Sequence, residues 1–112
     1  MTNDKSATSS RAQLSNAEIK RLKGIGHDLK PIVMVGGNGL TEGVVSEIER
    51  ALTDHELIKI KTPAGSKAER EAMGHAIAEQ TWAVMVQHIG RMALLFKPNP
   101  NANPKLSNLI ER

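Results

Sequence analysis

The sequence predicts an α/β fold, a two-layer sandwich with the element order α-β-α-β-α-β-β. Three observations predict it. Three segments repeat apolar residues at helical spacing, each behind a Ser or Thr placed as an N-cap. Four short apolar runs rich in β-branched residues lie between and after them. The last two runs are separated by a short turn containing Gly90, the pattern of an antiparallel hairpin. Both strand–helix–strand crossovers are expected to be right-handed. If the sheet grows in one direction, the second and third helices then share one face.

Ser15 opens the first helix, with Glu18 three residues later completing a capping box. Ile19, Leu22, Ile25 or Gly26, and Leu29 form its apolar stripe. Gly24 and Gly26 lower helix propensity, so this helix leans on tertiary packing. Pro31 disfavours helical geometry at Lys30 and ends the helix near there. Pro31 to Val35 read as a buried strand, broken by Gly36, Gly37, Asn38 and Gly39. Thr41 caps a second helix whose inner face is Val44, Ile48, Ala51 and Leu52. Leu57 to Lys61 form a second strand, with Ile58 and Ile60 on one face and Lys59 and Lys61 on the other. Ser66 and Glu69 make another capping box, and the third helix is expected to bury Ala68, Ala72, Met73, Ala76 and Ile77. Ala83 to Val86 and Met92 to Phe96 are the hairpin strands, with Trp82 expected to pack at the start of the first.

This divides the chain into a flexible polar arm (residues 1–13), a folded domain (14–98) and a C-terminal extension (99–112). The extension reads as a linker with one helical turn carrying Leu106, Leu109 and Ile110. A chain of 112 residues suffices for one modest core and leaves no room for a separate catalytic domain. Its apolar fraction of 39% and charged fraction of 24% fit a soluble globular protein. No run of 18 apolar residues exists, so no membrane partner is expected. The N-terminus lacks the apolar core of a secretory signal, and the expected location is cytoplasmic. With no cysteine, disulfides, thiolate nucleophiles and zinc-cysteine sites are excluded.

Net charge is only +3, but it is unevenly distributed. Residues 14–39 carry Lys20, Arg21, Lys23 and Lys30 against Glu18 and Asp28, a net +2. Residues 40–55 carry Arg50 against Glu42, Glu47, Glu49 and Asp54, a net −3. Residues 56–70 return to +2, with Lys59, Lys61, Lys67 and Arg70 against Glu56 and Glu69. A fold could sort these into a basic face and an acidic face, and a polyanion would meet the first.

Two local features could meet it. Gly36 to Gly39 lie between a strand and a helix N-terminus, where glycines permit close backbone approach and free amides favour an anion. A GxxG loop at a helix start is how KH domains clamp a nucleic-acid backbone. The same glycines also make a tight βα turn, and the pattern alone leaves both readings open. The loop is neither a Walker A loop nor a dinucleotide fingerprint. On the first helix, Lys20, Lys23, His27 and Lys30 follow 3-4-3 spacing and share one side, either a phosphate-contacting stripe or an ordinary solvated face. Lys59 and Lys61, with Lys67 and Arg70 soon after, either extend a phosphate surface or form an ordinary polar strand face.

Aromatics argue by absence. Only Trp82 and Phe96 occur, so base stacking of the RRM kind is not available and RNA would be read by backbone and shape more than by base identity. Catalytic patterns are poor. His27, His55, His75 and His88 match no metal-ligand spacing, Glu47 and Glu49 diverge on their helix, and no nucleophile stands beside Asp54 and His55. No enzyme activity, cofactor, metal or small-molecule substrate is expected.

Five stretches together resemble a known family: Leu14-Ser15-x-x-Glu18 through Leu22-x-Gly24; His27-x-Leu29-Lys30-Pro31; Gly36-x-x-Gly39-Leu40-Thr41; His55 through Lys61; and Ile89-Gly90-Arg91 to Leu95-Phe96-Lys97-Pro98. Their order and spacing are similar to the CRM domain, named for chloroplast RNA splicing and ribosome maturation, and the length to its bacterial stand-alone members. The resemblance implies a mixed four-stranded sheet similar to the C-terminal domain of translation initiation factor three, with an added N-terminal helix. It implies RNA binding and, for bacterial members, association with precursors of the large ribosomal subunit. It places RNA contacts at Gly36, Gly37, Asn38 and Gly39, and on Lys20, Lys23, Lys30, Lys59 and Lys61. Gly37 departs from the basic residue common at the second loop position, and the extension from Asn99 has no counterpart. The expected function is that of an assembly factor on ribosomal RNA of large-subunit precursors. A general RNA chaperone, an intron-binding factor, or a protein–protein adaptor using the C-terminal leucines is the alternative.

Overall fold

In a computed structural model that describes residues 13–109, the chain forms seven elements in the expected order. They are α1 (Asn16–His27), β1 (Pro31–Met34), α2 (Glu42–His55), β2 (Leu57–Lys61), α3 (Lys67–Thr81), β3 (Val84–Ile89) and β4 (Met92–Phe96). The N-terminal arm up to residue 12 and the last three residues, Ile110 included, lie outside the described residues.

All three helices start where their caps dictate. Ser15 and Ser66 each accept a hydrogen bond from the backbone N–H three residues on, and Glu18 and Glu69 reach back to the cap amides. The backbone N–H of Ser15, and then its hydroxyl, hold the Glu18 carboxyl below its ordinary pKa, and Ser66 does the same for Glu69. Thr41 accepts from the Val44 N–H at 3.2 Å and starts α2. Helix α1 ends at His27, three residues short of Lys30, and the Leu29 N–H returns to the Gly26 carbonyl at 3.1 Å.

The four strands form one mixed sheet in the order β1-β2-β4-β3. Strand β1 runs parallel to β2; β4 runs antiparallel to both β2 and β3. Helices α2 and α3 pack on one face of the sheet. There Ile48, Leu52 and Ile77 meet Val33, Val35, Ile58, Ile60, Ala93 and Leu95. Helix α1 lies on the other face, where Leu22 meets Leu57, Leu94 and Phe96, with Ile25 and Leu29 packed alongside. Gly26 sets that contact. A Cβ there would stand 2.5 Å from a Leu94 methyl, so only glycine lets α1 come this close to β4.

Four details differ from the expected pattern. Strand β1 ends at Met34, one residue early, and is buried on one face only, with Ile32 and Met34 exposed because the single helix on that side does not reach them. In α3, Ala68 and Ala72 are exposed, and the inner side is Gly74, Ile77, Ala78 and Thr81, with Met73 and Ala76 half-buried. Ile77 orients the helix, and at roughly 100° per residue Ala72 stands about 140° from it and Ala68 about 180°. Strand β3 begins one residue later than expected and runs on to Ile89, with a bulge between Met85 and Gln87. Trp82 does not pack inward; it caps the C-terminus of α3 at φ 61 and is 47% exposed.

The segment after Pro98 forms turns and no helix among the described residues, and it folds back onto the domain. Its anchor is Glu56, buried at the C-terminus of α2 with φ 63. The carboxylate accepts from the Asn99 N–H at 2.8 Å and the Ser107 hydroxyl at 2.6 Å. Asn108 adds bonds to the backbone carbonyls of His55 and Leu57, and Leu109 packs against the α1 cluster.

The two helical glycines of α1 should behave oppositely. Gly24 has nothing within 4 Å of a Cβ position, and Gly26 has Leu94. Gly24→Ala should stabilise the fold by up to about 1 kcal/mol through helix propensity. Gly26→Ala should destabilise it by about 1–3 kcal/mol through overpacking. Urea unfolding midpoints at constant m-value check both, and a stable Gly26→Ala variant would refute the close-approach role.

Candidate functional site

The sheet register decides where the charged residues go. Lys59 pairs with Leu94 and Lys61 with Met92, so both lysines share the α1 face with the residues beneath that helix. Lys59 lines two shallow grooves. One, of about 160 Å³, also involves Lys30, Ile32 and His55; the other, of about 290 Å³, also involves His27 at the end of α1. Lys20 and Lys23 are exposed on the preceding turns of that helix. The fold thus brings His27, at the end of α1, and Lys30, just after it, beside Lys59 on the sheet. Lys61 pairs with Met34, two residues before Gly36, so it stands at the sheet end from which the glycine loop leaves.

The loop is a tight turn. The Gly39 N–H donates to the Gly36 carbonyl at 3.0 Å and the Thr41 N–H to the Gly39 carbonyl at 3.0 Å. Gly39 alone of the loop glycines has a positive φ, 74, which a residue with a side chain rarely adopts. Gly36 and Gly37 have no such φ, and a Cβ at either would meet nothing within 4 Å. Nothing in the backbone requires glycine at those two positions. Directly behind the loop, Glu42 is the first residue of α2, a carboxylate at the positive end of the helix dipole. It competes with any anion approaching the same amides.

Glu18 and Asp28 lie on or beside α1, but most of the acidic residues lie elsewhere. Glu47, Glu49 and Asp54 belong to α2, which packs on the opposite face of the sheet from α1. The open part of the α1 face is not simply polar. Ile32 is 48% exposed, Met34 66% and Ile89 63%, so β-branched and thioether side chains lie among the lysines.

Two arginines complete the loop end of the sheet. Arg70 donates to the carbonyls of Gly90 and Gly65 at 3.0 and 2.6 Å, tying α3 to the hairpin turn. Arg91, which sequence reasoning passed over, donates to the Thr62 carbonyl at 2.9 Å. Its signal in the sequence was its place beside Gly90 in the hairpin turn. Among the described residues no three His, Asp or Glu side chains gather in a way that could hold a metal ion, and no helix is long and apolar enough to cross a membrane.

Residues 14–97 match the model of the CRS1 / YhbY (CRM) domain. The chain belongs to that family. A probable RNA-binding protein of Pseudomonas aeruginosa is 47% identical over 96 residues, spanning 86% of this chain and 92% of its own. An RNA-binding protein of Haemophilus influenzae is 45% identical over 93 residues, spanning 83% and 94%. The solution structure of the hypothetical protein SAV1595 of Staphylococcus aureus superposes with a TM-score of 0.72 at 23% identity, covering 81% of this chain and 95% of that one. The fold is therefore that of the CRM domain, with its mixed four-stranded sheet. The family match ends at Lys97, two residues before the segment that Glu56 anchors.

Proposed function

We propose that this CRM domain is a non-catalytic, cytoplasmic RNA-binding protein that contacts ribosomal RNA in precursors of the large subunit and assists their assembly. The observation that carries the reading is the segregation of charge by the sheet. Lys20, Lys23, Lys30, Lys59 and Lys61 share the α1 face, while most of the acidic residues of α2 are held on the other. A polyanion approaching the first face is attracted, and one approaching the second is repelled. The two relatives above 40% identity carry RNA-binding names, which supports the same partner. The ribosomal target rests on the resemblance of the five motif stretches to bacterial CRM proteins.

On this reading the lysines contact phosphates, and the loop of Gly36, Gly37, Asn38 and Gly39 contributes those backbone amides that its own turn leaves unused. With roughly four to six phosphate contacts, log K should fall against log salt with a slope of about −3 to −5. Replacing Lys20, Lys23 and Lys30 together by Ala should weaken binding to all sequences and flatten that slope by about 2. An unchanged slope in the triple variant would put α1 outside the interface.

Gly37 is the point where the loop lacks a cation, and its surroundings leave room for one. Gly37→Lys should tighten RNA binding by on the order of 1 kcal/mol or less, with the fold intact. Equal or weaker binding by the folded variant would count against the loop as a phosphate contact.

In cells, the protein should sediment with large-subunit precursors at low salt, leave them at high salt, and associate little with translating ribosomes. Gradient fractionation with an antibody to the protein measures this. Presence only in free fractions, or equal presence on small and large subunits, would remove the assembly role and leave general RNA binding standing.

A further inference from the structure

The bulge in β3 changes which side chains reach the α1 face. Met85 pairs with Leu95 and packs toward α2 and α3. Plain alternation would send Gln87 the same way. The bulge inserts Val86, so Gln87 instead pairs with Leu94, and Ile89 with Met92, on the α1 side. There they line the open groove of about 290 Å³ with Lys59 and His27. Its floor is apolar, since Leu94 is buried and Met92 half-buried. Its walls offer an amide, an imidazole and an ammonium group. Among the described residues, no hydrogen bond engages the Gln87 amide or the His27 ring.

This combination suits one ligand chemistry. A nucleobase has two apolar faces, and its edge both donates and accepts hydrogen bonds. An amide side chain answers such an edge in both senses, and an imidazole can stack on a face. A base already paired inside a duplex presents neither face, so the occupant must be unpaired. The lysines beside the groove match the phosphate that every nucleotide carries. We infer that the groove takes one unpaired nucleobase of a bound RNA. The base lies between the His27 ring and the Met92–Leu94 floor, its edge meets the Gln87 amide, and the adjoining phosphate meets Lys59. The inference rests on the RNA-binding reading above and deepens it. Composition argued for recognition of backbone and shape more than of base identity; the groove supplies a single base site from one imidazole and apolar side chains.

The test uses the full chain at about pH 8, above the ordinary imidazole range. Three fluorescein-labelled RNAs serve as probes: a hairpin with a mixed-sequence loop, the same hairpin with abasic loop nucleotides, and a plain duplex. The intact loop should bind about five- to tenfold tighter than the abasic loop, the worth of one good base contact. Gln87→Ala and His27→Ala should each bring that ratio toward one while leaving the salt slope unchanged. His27→Phe, which still stacks, should keep most of it. Lys59→Ala should weaken binding to intact and abasic loops alike and flatten the slope. Thermal melts establish that each variant is folded. Equal binding of intact and abasic loops, or a ratio that survives in folded Gln87→Ala and His27→Ala, overturns the base site, and salt-dependent binding in that case preserves the RNA reading. Failure to bind any of the three RNAs overturns both.

Discussion

Helix α1 can lie on the sheet only as deeply as Gly26 allows. Its Cα rests against the methyls of Leu94, and this one contact fixes the height of the helix over β4. Leu22 then reaches Leu57, Leu94 and Phe96, and Ile25 and Leu29 close the cluster on either side. The apolar gain from those side chains outweighs the helix propensity lost at the two glycines, where each costs about 1 kcal/mol. Raising α1 by one methyl would loosen that cluster. It would also widen the groove that His27 lines with Gln87 and Met92. The candidate surface therefore inherits its shape from a packing contact that carries no charge.

The same seating separates the charges. One helix covers only part of its face, whereas two helices cover the other. The uncovered part holds half-buried Lys59 and Lys61 together with exposed Ile32, Met34 and Ile89. The basic side of α1 borders this area, and α2 keeps Glu47, Glu49 and Asp54 on the far side of the sheet. At physiological salt the Debye length is about 8 Å. A sheet with helices on both faces is thicker than that, so the acidic side screens little of the basic one.

Much of this was legible in the sequence because it rests on local signals. Ser15, Thr41 and Ser66 marked the helix starts, since a cap and its N3 partner are only three residues apart. Strand β2 showed its two faces by alternation, and β4 was read to the residue. Where signals were weak or distant, reading stopped. Helix α3 is built largely of alanines and polar residues, so more than one stripe fits the helical period, and only burial of Ile77 and Gly74 chooses between them. The bulge at Val86 depends on pairing with β4 and leaves no mark in the local pattern, so the placement of Gln87 could not be foreseen. The C-terminal segment read as a linker because the partners of Glu56 lie 43 and 51 residues away. A left-handed φ at a glutamate costs of order 1–3 kcal/mol, and nothing near it in sequence reveals what offsets that cost.

The loop of Gly36 to Gly39 shows why a motif and a site need separate arguments. By pattern it is a glycine loop at a helix start, the arrangement that favours anions. By geometry only Gly39 needs to be glycine, and Glu42 places a negative charge in the first turn of the helix that follows the loop. The loop thus holds its turn without a cation of its own, and positive charge near it must come from elsewhere. Lys61, across the sheet from Met34, is the residue the register supplies at that end. The basic surface is accordingly centred on β2 and α1, with the loop at its edge. A partner held there meets lysines set by strand register and helix periodicity, the two most rigid periodicities in the fold.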